Sequence, residues 1–141
     1  MNIIIFGPPG AGKGTQSKYI VSKFNLFQLS TGDLLRNEIK NKSGVGLKIG
    51  SLVSDDIVSK LIESYILKDE FKNRIIFDGY PRNISQAKNL NLLLNKYNQK
   101  ISLVLKLAVD LETIKKRVSG RMVCSMCGKI YNQFFNPAPT A

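Results

Sequence analysis

Gly7-Pro8-Pro9-Gly10-Ala11-Gly12-Lys13-Gly14-Thr15 follows the apolar run Asn2-Ile3-Ile4-Ile5-Phe6 and precedes a stretch where Ile20, Val21 and Phe24 recur at helical spacing. A strand, a glycine-rich turn and a helix in that order are the setting a phosphate-binding loop requires. Glycines let the backbone curl until its N–H groups point at one anion, and the helix N-terminus adds partial positive charge. Gly10, Ala11, Gly12, Lys13, Gly14 and Thr15 would bind phosphate. Lys13 would reach the outer phosphates, and the Thr15 hydroxyl would lie near Mg²⁺, directly or through water. In the general motif Ser or Thr follows the lysine, whereas here Gly14 intervenes. The bland alternative is a glycine-rich turn without a ligand; the strand before it and the helix after it argue against that.

Along the rest of the chain, apolar runs and helical stripes alternate, the pattern of a parallel sheet with crossover helices. The first strand, Asn2 to Phe6, is almost wholly apolar, as expected when both faces are covered. Phe27 to Leu29 reads as a short extended piece, and residues 30 to 54, richer in glycine and lysine, as an insertion carrying short helices. Ile57, Val58, Leu61, Ile62, Tyr65 and Ile66 form a helical stripe with Ser54 or Asp55 as its cap. Arg74 to Asp78 is a second buried strand, and a helix carrying Ala87, Leu90, Leu94 and Tyr97 on one face follows. Ile101 to Val109 is the third strong strand, and Asp110 caps a helix with Leu111, Ile114 and Val118 inward. From Met122 the periodicity stops, and the tail from Asn136 reads as a loop.

The chain has 141 residues, 43% apolar and 22% charged, which suits one domain with a core and argues against a disordered, collagen-like or disulfide-scaffold protein. Histidine is absent, so histidine triads and His-ligated metal sites are excluded within these residues. A net charge of +11 suggests anionic partners, yet lysine predominates and a biased genome would give the same excess. No apolar run approaches the ~18 residues of a membrane span, and no signal-peptide pattern is evident. A cytoplasmic protein without a membrane partner is the default expectation.

The G-x-P-G-x-G-K-G-T form of the loop resembles that of adenylate kinases and related nucleoside monophosphate kinases. Leu29-Ser30-Thr31-Gly32-Asp33-Leu34-Leu35-Arg36 is similar to the family's monophosphate-binding signature, and Gly50-Ser51-Leu52-Val53-Ser54-Asp55 to the end of its mobile insertion. Phe77-Asp78-Gly79-Tyr80-Pro81-Arg82, with Gln86 after it, is similar to the family's most diagnostic segment. Arg117 and Arg121 match its two arginines at the base of the lid. The resemblance implies a P-loop NTPase-type parallel sheet with helices on both faces, with core segments at 1–29 and 60–121. It further implies an AMP-binding insertion at 30–59 and the start of a lid at 122–141.

By this resemblance Arg36 and Arg82 hold the AMP phosphate, while Arg117 and Arg121 serve ATP and the transferring group. Guanidinium groups suit such work because they pair bidentately and stay ionised. Of the arginines, Arg74 alone falls outside the family's positions. The AMP site would comprise Thr31, Arg36, Ser51, Leu52, Val53, Gly79, Tyr80, Pro81, Arg82 and Gln86; ATP would also meet Ile130 and Tyr131. Lys13, Asp78, Arg82, Arg117 and Arg121 would be the catalytic set. Asp78 ends a buried strand, where a carboxylate needs a cation or donors; it either joins the Mg²⁺ sphere, through water, or caps the following turn. Asp33 reads as a helix cap. Gln86 either reads an adenine edge or is exposed on a helix. Thr31 favours AMP over UMP or CMP as acceptor.

Cys124-Ser125-Met126-Cys127-Gly128 has the C-x2-C-G spacing of a zinc knuckle. Two thiolates do not complete a tetrahedral site, so the pair is either half of a structural Zn²⁺ site or two free thiols. The family's fifth strand and C-terminal helices have no counterpart before Ala141, so the chain reads as an N-terminal portion. Ile101 to Val109 would then be an apolar sheet edge prone to aggregation. The implied activity is Mg²⁺-dependent transfer of the terminal phosphoryl of ATP to AMP, giving two ADP, in a monomeric enzyme. The alternatives are a nucleotide-binding fragment with little activity and a kinase for another monophosphate. A basic nucleic-acid binder lacks the aromatic interleaving such a surface needs.

Overall fold

The computed structural model describes residues 1–40 and 55–139. Four strands, β1 (Asn2–Phe6), β2 (Phe27–Ser30), β3 (Ile75–Asp78) and β4 (Ile101–Lys106), form one parallel sheet in the order β2-β3-β1-β4. Parallel neighbours need long crossovers, and helices supply them. α1 (Lys13–Phe24) joins β1 to β2, α2 (Thr31–Lys40) and α3 (Asp55–Ile66) lie between β2 and β3, and α4 (Ile84–Lys96) joins β3 to β4. α5 (Leu111–Ser119) follows β4. This is the P-loop NTPase-type α/β arrangement the sequence implies.

The period-2 alternation of strand side chains sorts the core into two layers. Ile3, Ile5 and Ile76 point to one face, where Leu26 and the α1 residues Ile20 and Val21 cover them. Leu29, Ile75 and Phe77 point to the other, against Val58, Ile62 and Ile66 of α3 and Leu90 and Leu94 of α4. Each fully buried Ile, Leu or Phe contributes roughly 1.5–3 kcal/mol of transfer free energy. Both faces of the central strands β1 and β3 are therefore covered, and their near-continuous apolar sequences follow from that.

At the opposite end from the glycine loop, Asn2 is fully buried and ties three segments together. Its Nδ2 donates to Gln99 Oε1 and to the Lys100 carbonyl, both at 3.2 Å, and its Oδ1 accepts from the Ile75 N–H at 3.1 Å. Gln99 in turn accepts from the Asn73 N–H and donates to the Ile66 carbonyl.

Several sequence expectations need correction. On α4 the inward position next to Leu90 belongs to Gln86, whereas Ala87 is exposed. β4 ends at Lys106 rather than Val109, and residues 107–110 are irregular. Asp110 caps α5, accepting from the Thr113 N–H at 2.8 Å, but Leu111 and Val118 are exposed and Ile114 only half-buried. Asp33 is not the cap of α2: the Ser30 hydroxyl accepts from the Asp33 N–H, which places Asp33 in the first turn. The irregular segment after Met122 contains an antiparallel hairpin, β5 (Arg121–Val123) and β6 (Ile130–Asn132). Strands of three residues are too short to show alternation. β4 does lie at an edge of the sheet, with Leu103 and Val104 exposed.

Candidate functional site

The carboxyl ends of all four strands lie along one edge of the sheet, where open α/β folds bind their ligands. There Phe6 leads into Gly7, Ser30 into Thr31, Asp78 into Gly79 and Lys106 into Leu107. Register fixes who meets whom: Ile5 pairs with Asp78, and Ser30 pairs with Asp78 from the other side. The buried carboxylate thus sits in the strand next to the one that feeds the glycine loop.

The loop closes on itself. Ala11 N–H donates to the Pro8 carbonyl at 3.1 Å, and Ala11 is buried. Lys13, the first residue of α1, folds back so that Nζ donates to the carbonyls of Gly7 at 2.9 Å and Pro8 at 3.3 Å. Gly14 and Thr15 are exposed at the start of the helix. Gly10 has φ +81°, and a Cβ there would come within 2.9 Å of Val118 on α5. Glycine is needed at that point on both counts.

α5 braces this loop through Arg117. Its Nη1 donates to the carbonyls of Ala11 at 3.1 Å and Gly10 at 3.4 Å. Two basic side chains, Lys13 and Arg117, therefore converge on one short stretch of backbone. That concentration of positive charge at a helix N-terminus favours a polyanion.

On the neighbouring strand ends a second group assembles. Asp78 is 9% exposed, and its Oδ2 accepts from Gln28 Nε2 at 2.9 Å. The Gly79 carbonyl accepts from the Thr31 hydroxyl at 3.2 Å and from Arg82 Nε at 2.8 Å, which draws α2, the β3 end and Arg82 to one point. Tyr80 is buried and Pro81 half-buried behind them. Burial pushes the Tyr80 phenol above its usual range, the nearby Asp55 charge adds to the rise, and a hydrogen bond with Ser59 opposes it. Gln86 is buried in the first turn of α4. Its Oε1 accepts from the Arg82 N–H and its Nε2 donates to Asp55 Oδ1, both at 2.7 Å.

Arg36 lies on α2, and Ser51, Leu52 and Val53 fall outside the described residues. Arg121, exposed, and Ile130 and Tyr131 belong to the β5–β6 hairpin. The hairpin is fastened to the end of α5: Asn132 Nδ2 donates to the Arg117 carbonyl at 3.0 Å, and Gln133 N–H to the Gly120 carbonyl at 2.9 Å. A Cβ on Gly120 would fall within 2.6 Å of Phe134, so the hairpin can seat this closely only on a glycine. The segment holding Arg121 is thereby hinged on the helix that carries Arg117.

Cys124 and Cys127 occupy the tight turn between β5 and β6. The Gly128 N–H donates to the Cys124 carbonyl and the Cys124 N–H to the Lys129 carbonyl, both at 2.9 Å. Backbone N–H groups of Cys127 and Met126 pull the Cys124 thiol below its usual range, as does the Cys127 side chain. Among the described residues no group of three or more His, Cys, Asp or Glu side chains gathers for a metal. The described residues therefore offer zinc two thiols and not a closed site.

Two participants were not legible as site residues in the sequence. Gln28, the polar side chain between Phe27 and Leu29 of β2, holds Asp78, and the apolar-polar alternation of that strand carries no signal of it. Asp55, which reads as a helix cap, instead holds the side chain of Gln86, and no spacing rule connects positions 31 apart.

The adenylate kinase family model matches residues 5–135. An adenylate kinase of Pelagibacter ubique is 51% identical over 96% of this chain, and one of Trichlorobacter lovleyi 43% identical over 97%. One of Erythrobacter litoralis is 46% identical over 94%. The chain spans 67%, 67% and 64% of the lengths of these three relatives, about two thirds. Among the described residues, no helix is long and apolar enough to cross a membrane. With the matched segment running from the glycine loop through the β5–β6 hairpin, the chain belongs to the adenylate kinase family.

Proposed function

We propose that this chain carries the ATP and AMP sites of a phosphotransferase that converts ATP and AMP into two ADP. The observation that carries the proposal is the convergence of Lys13 and Arg117 on the glycine loop beside the buried Asp78, with Arg82 on the adjoining Gly79 carbonyl. Phosphoryl transfer needs positioning and charge stabilisation more than covalent chemistry from the protein. Lys13 exchanges the carbonyls of Gly7 and Pro8 for phosphate oxygens on the ATP side, with Gly10 to Thr15 supplying backbone donors. Arg117 and Arg121, with Ile130 and Tyr131, complete that side. Arg36 and Arg82 hold the AMP phosphate. Thr31, Ser51 to Val53, Gly79 to Pro81 and Gln86 surround its nucleoside. Residues 30–59 act as the AMP insertion and 122–141 as the start of the lid.

The donors suit Mg²⁺, which prefers hard oxygen ligands: the Asp78 carboxylate and the Thr15 hydroxyl would hold it, through water or directly. When bound with ATP it neutralises phosphate charge. Cys124 and Cys127 would supply two thiolates, half of a tetrahedral set, to a structural zinc. A cytoplasmic, monomeric enzyme is the setting this reading favours.

Separate calorimetric titrations with ATP and AMP, followed by a coupled ADP-formation assay with AMP, UMP, CMP and GMP as acceptors, test the proposal. Saturable binding of both adenine nucleotides and turnover with AMP preferred support it. Absence of ATP binding, or preference for a pyrimidine acceptor, overturns it.

A further inference from the structure

We infer that Asp55 is the positioning residue that sets purine selectivity, by locking the orientation of the Gln86 side-chain amide. This rests on the reading of Gln86 as the residue that meets the AMP base. A glutamine amide has two N–H donors and two acceptor lone pairs, and its two ends are nearly equal in shape. Left free, it flips and offers either order of donor and acceptor.

Here it is not free. The Gln86 backbone N–H is fixed by Asn83 Oδ1 at 2.8 Å. At the side chain, Oε1 faces the Arg82 N–H, which can only donate. Nε2 faces the Asp55 carboxylate, which when ionised can only accept. A flip would set donor against donor at Arg82 and acceptor against acceptor at Asp55. It would lose both short bonds and leave a largely buried amide mispaired, a costly exchange.

One N–H and one lone pair then remain, in a single fixed order. Adenine presents a ring-nitrogen acceptor beside an exocyclic amine donor, whereas a 6-oxopurine presents a ring N–H beside a carbonyl. The locked amide answers only one of these arrangements. Rejection of the other comes from the mispairing that a flip would cause, not from lack of space. Asp55 begins α3, whose Val58, Ile62 and Ile66 pack in the same core layer as Leu90 and Leu94 of α4. The lock therefore stands between two helices that the core already holds together.

Titration of AMP, IMP and ATP onto the native chain and onto Asp55→Ala, Asp55→Asn and Gln86→Leu tests this, with thermal melting as the control for folding. Asp55→Ala should weaken AMP by about tenfold, leave ATP within about twofold, and lower the AMP-to-IMP preference by about tenfold. Asp55→Asn keeps an acceptor for the native amide yet offers a donor to the flipped one. AMP should stay within about threefold there while IMP gains. Gln86→Leu should weaken AMP and abolish the preference.

If Gln86→Leu does so and neither Asp55 variant moves the AMP-to-IMP ratio, the role of Asp55 is overturned while that of Gln86 stands. If Gln86→Leu leaves AMP binding intact, both fall. Equal loss of AMP and ATP in Asp55→Ala, with a lowered melting temperature and an unchanged ratio in Asp55→Asn, marks a structural contact and overturns the inference.

Discussion

Arg117 Nη1 and the carbonyl oxygen of Ala11 lie 3.1 Å apart, although 106 positions separate them in the sequence. A helix that follows the fourth strand thus grips the turn that follows the first. The guanidinium satisfies the carbonyls of Ala11 and Gly10, and under the proposed function its charge would also meet phosphate. Lysine keeps the charge but not the planar fork. Arg117→Lys should weaken ATP binding by about tenfold, and Arg117→Met by about a hundredfold, with AMP affinity changed by less than about threefold. Calorimetry with each nucleotide reads this directly. Equal affinities for Arg117→Lys and the native chain would show that charge alone matters.

At the other end of the sheet, Asn2 predicts a purely structural effect. Replacing it with leucine keeps the number of side-chain heavy atoms but orphans the Ile75 N–H and removes donors from Gln99 and the Lys100 carbonyl. Leaving buried polar groups unpaired costs about 1–3 kcal/mol apiece. Asn2→Leu should lower unfolding free energy by about 2–4 kcal/mol in urea titrations, while ATP affinity of the folded fraction is unchanged. A loss under about 0.5 kcal/mol, the range of an ordinary surface change, would mean that the network relaxes around the substitution.

The contrast between these two sites explains what the sequence could disclose. The strands and the glycine turn were readable because local chemistry decides them: Ile3, Ile4 and Ile5 need cover on both faces, and the loop needs its glycines. Asn2 and Gln99 were not readable, because a buried amide pair is specified only by a crossover that brings residues 97 apart together. The same reason hid Gln28 beside Asp78. Gln86 was half-legible: resemblance marked it, but it takes the inward place on α4 expected of Ala87, while Leu90, Leu94 and Tyr97 face the core as their spacing indicates. The α5 stripe misled in another way. Leu111, Ile114 and Val118 have helical spacing, yet Leu111 and Val118 are exposed, and Val118 touches the loop at Gly10 without entering a core.

Tyr80 gives a pH signature. Its phenol is held above the ordinary value of 10.0 chiefly by burial. A group whose pKa is raised by folding contributes stability that is complete below the unfolded pKa and is lost as pH rises through the folded one. The native chain should therefore lose stability more steeply than Tyr80→Phe between about pH 9 and pH 11. The two should run parallel between about pH 6 and pH 8. Denaturant midpoints across that range decide it: parallel curves throughout would mean that the phenol is as well solvated folded as unfolded.

Gln28 and Asp78 permit the sharpest test of how the strand-end carboxylate is kept. A carboxylate that is 9% exposed is costly unless donors meet it, and Gln28 Nε2 at 2.9 Å is such a donor, supplied by the neighbouring strand. Gln28→Leu preserves much of the side-chain volume and removes that donor, so it should destabilise the chain by about 1–3 kcal/mol. Asp78→Asn removes the charge that needs the donor. If the hydrogen bond is what stabilises the pair, Gln28→Leu should cost markedly less when Asp78→Asn is already present, with a coupling energy of about 1–2 kcal/mol in a double-mutant cycle. Simple packing of Gln28 in β2 predicts something else: the two changes would add to within about 0.3–0.5 kcal/mol. Additivity of that kind would detach Gln28 from Asp78 and leave the carboxylate to be held by its own strand end.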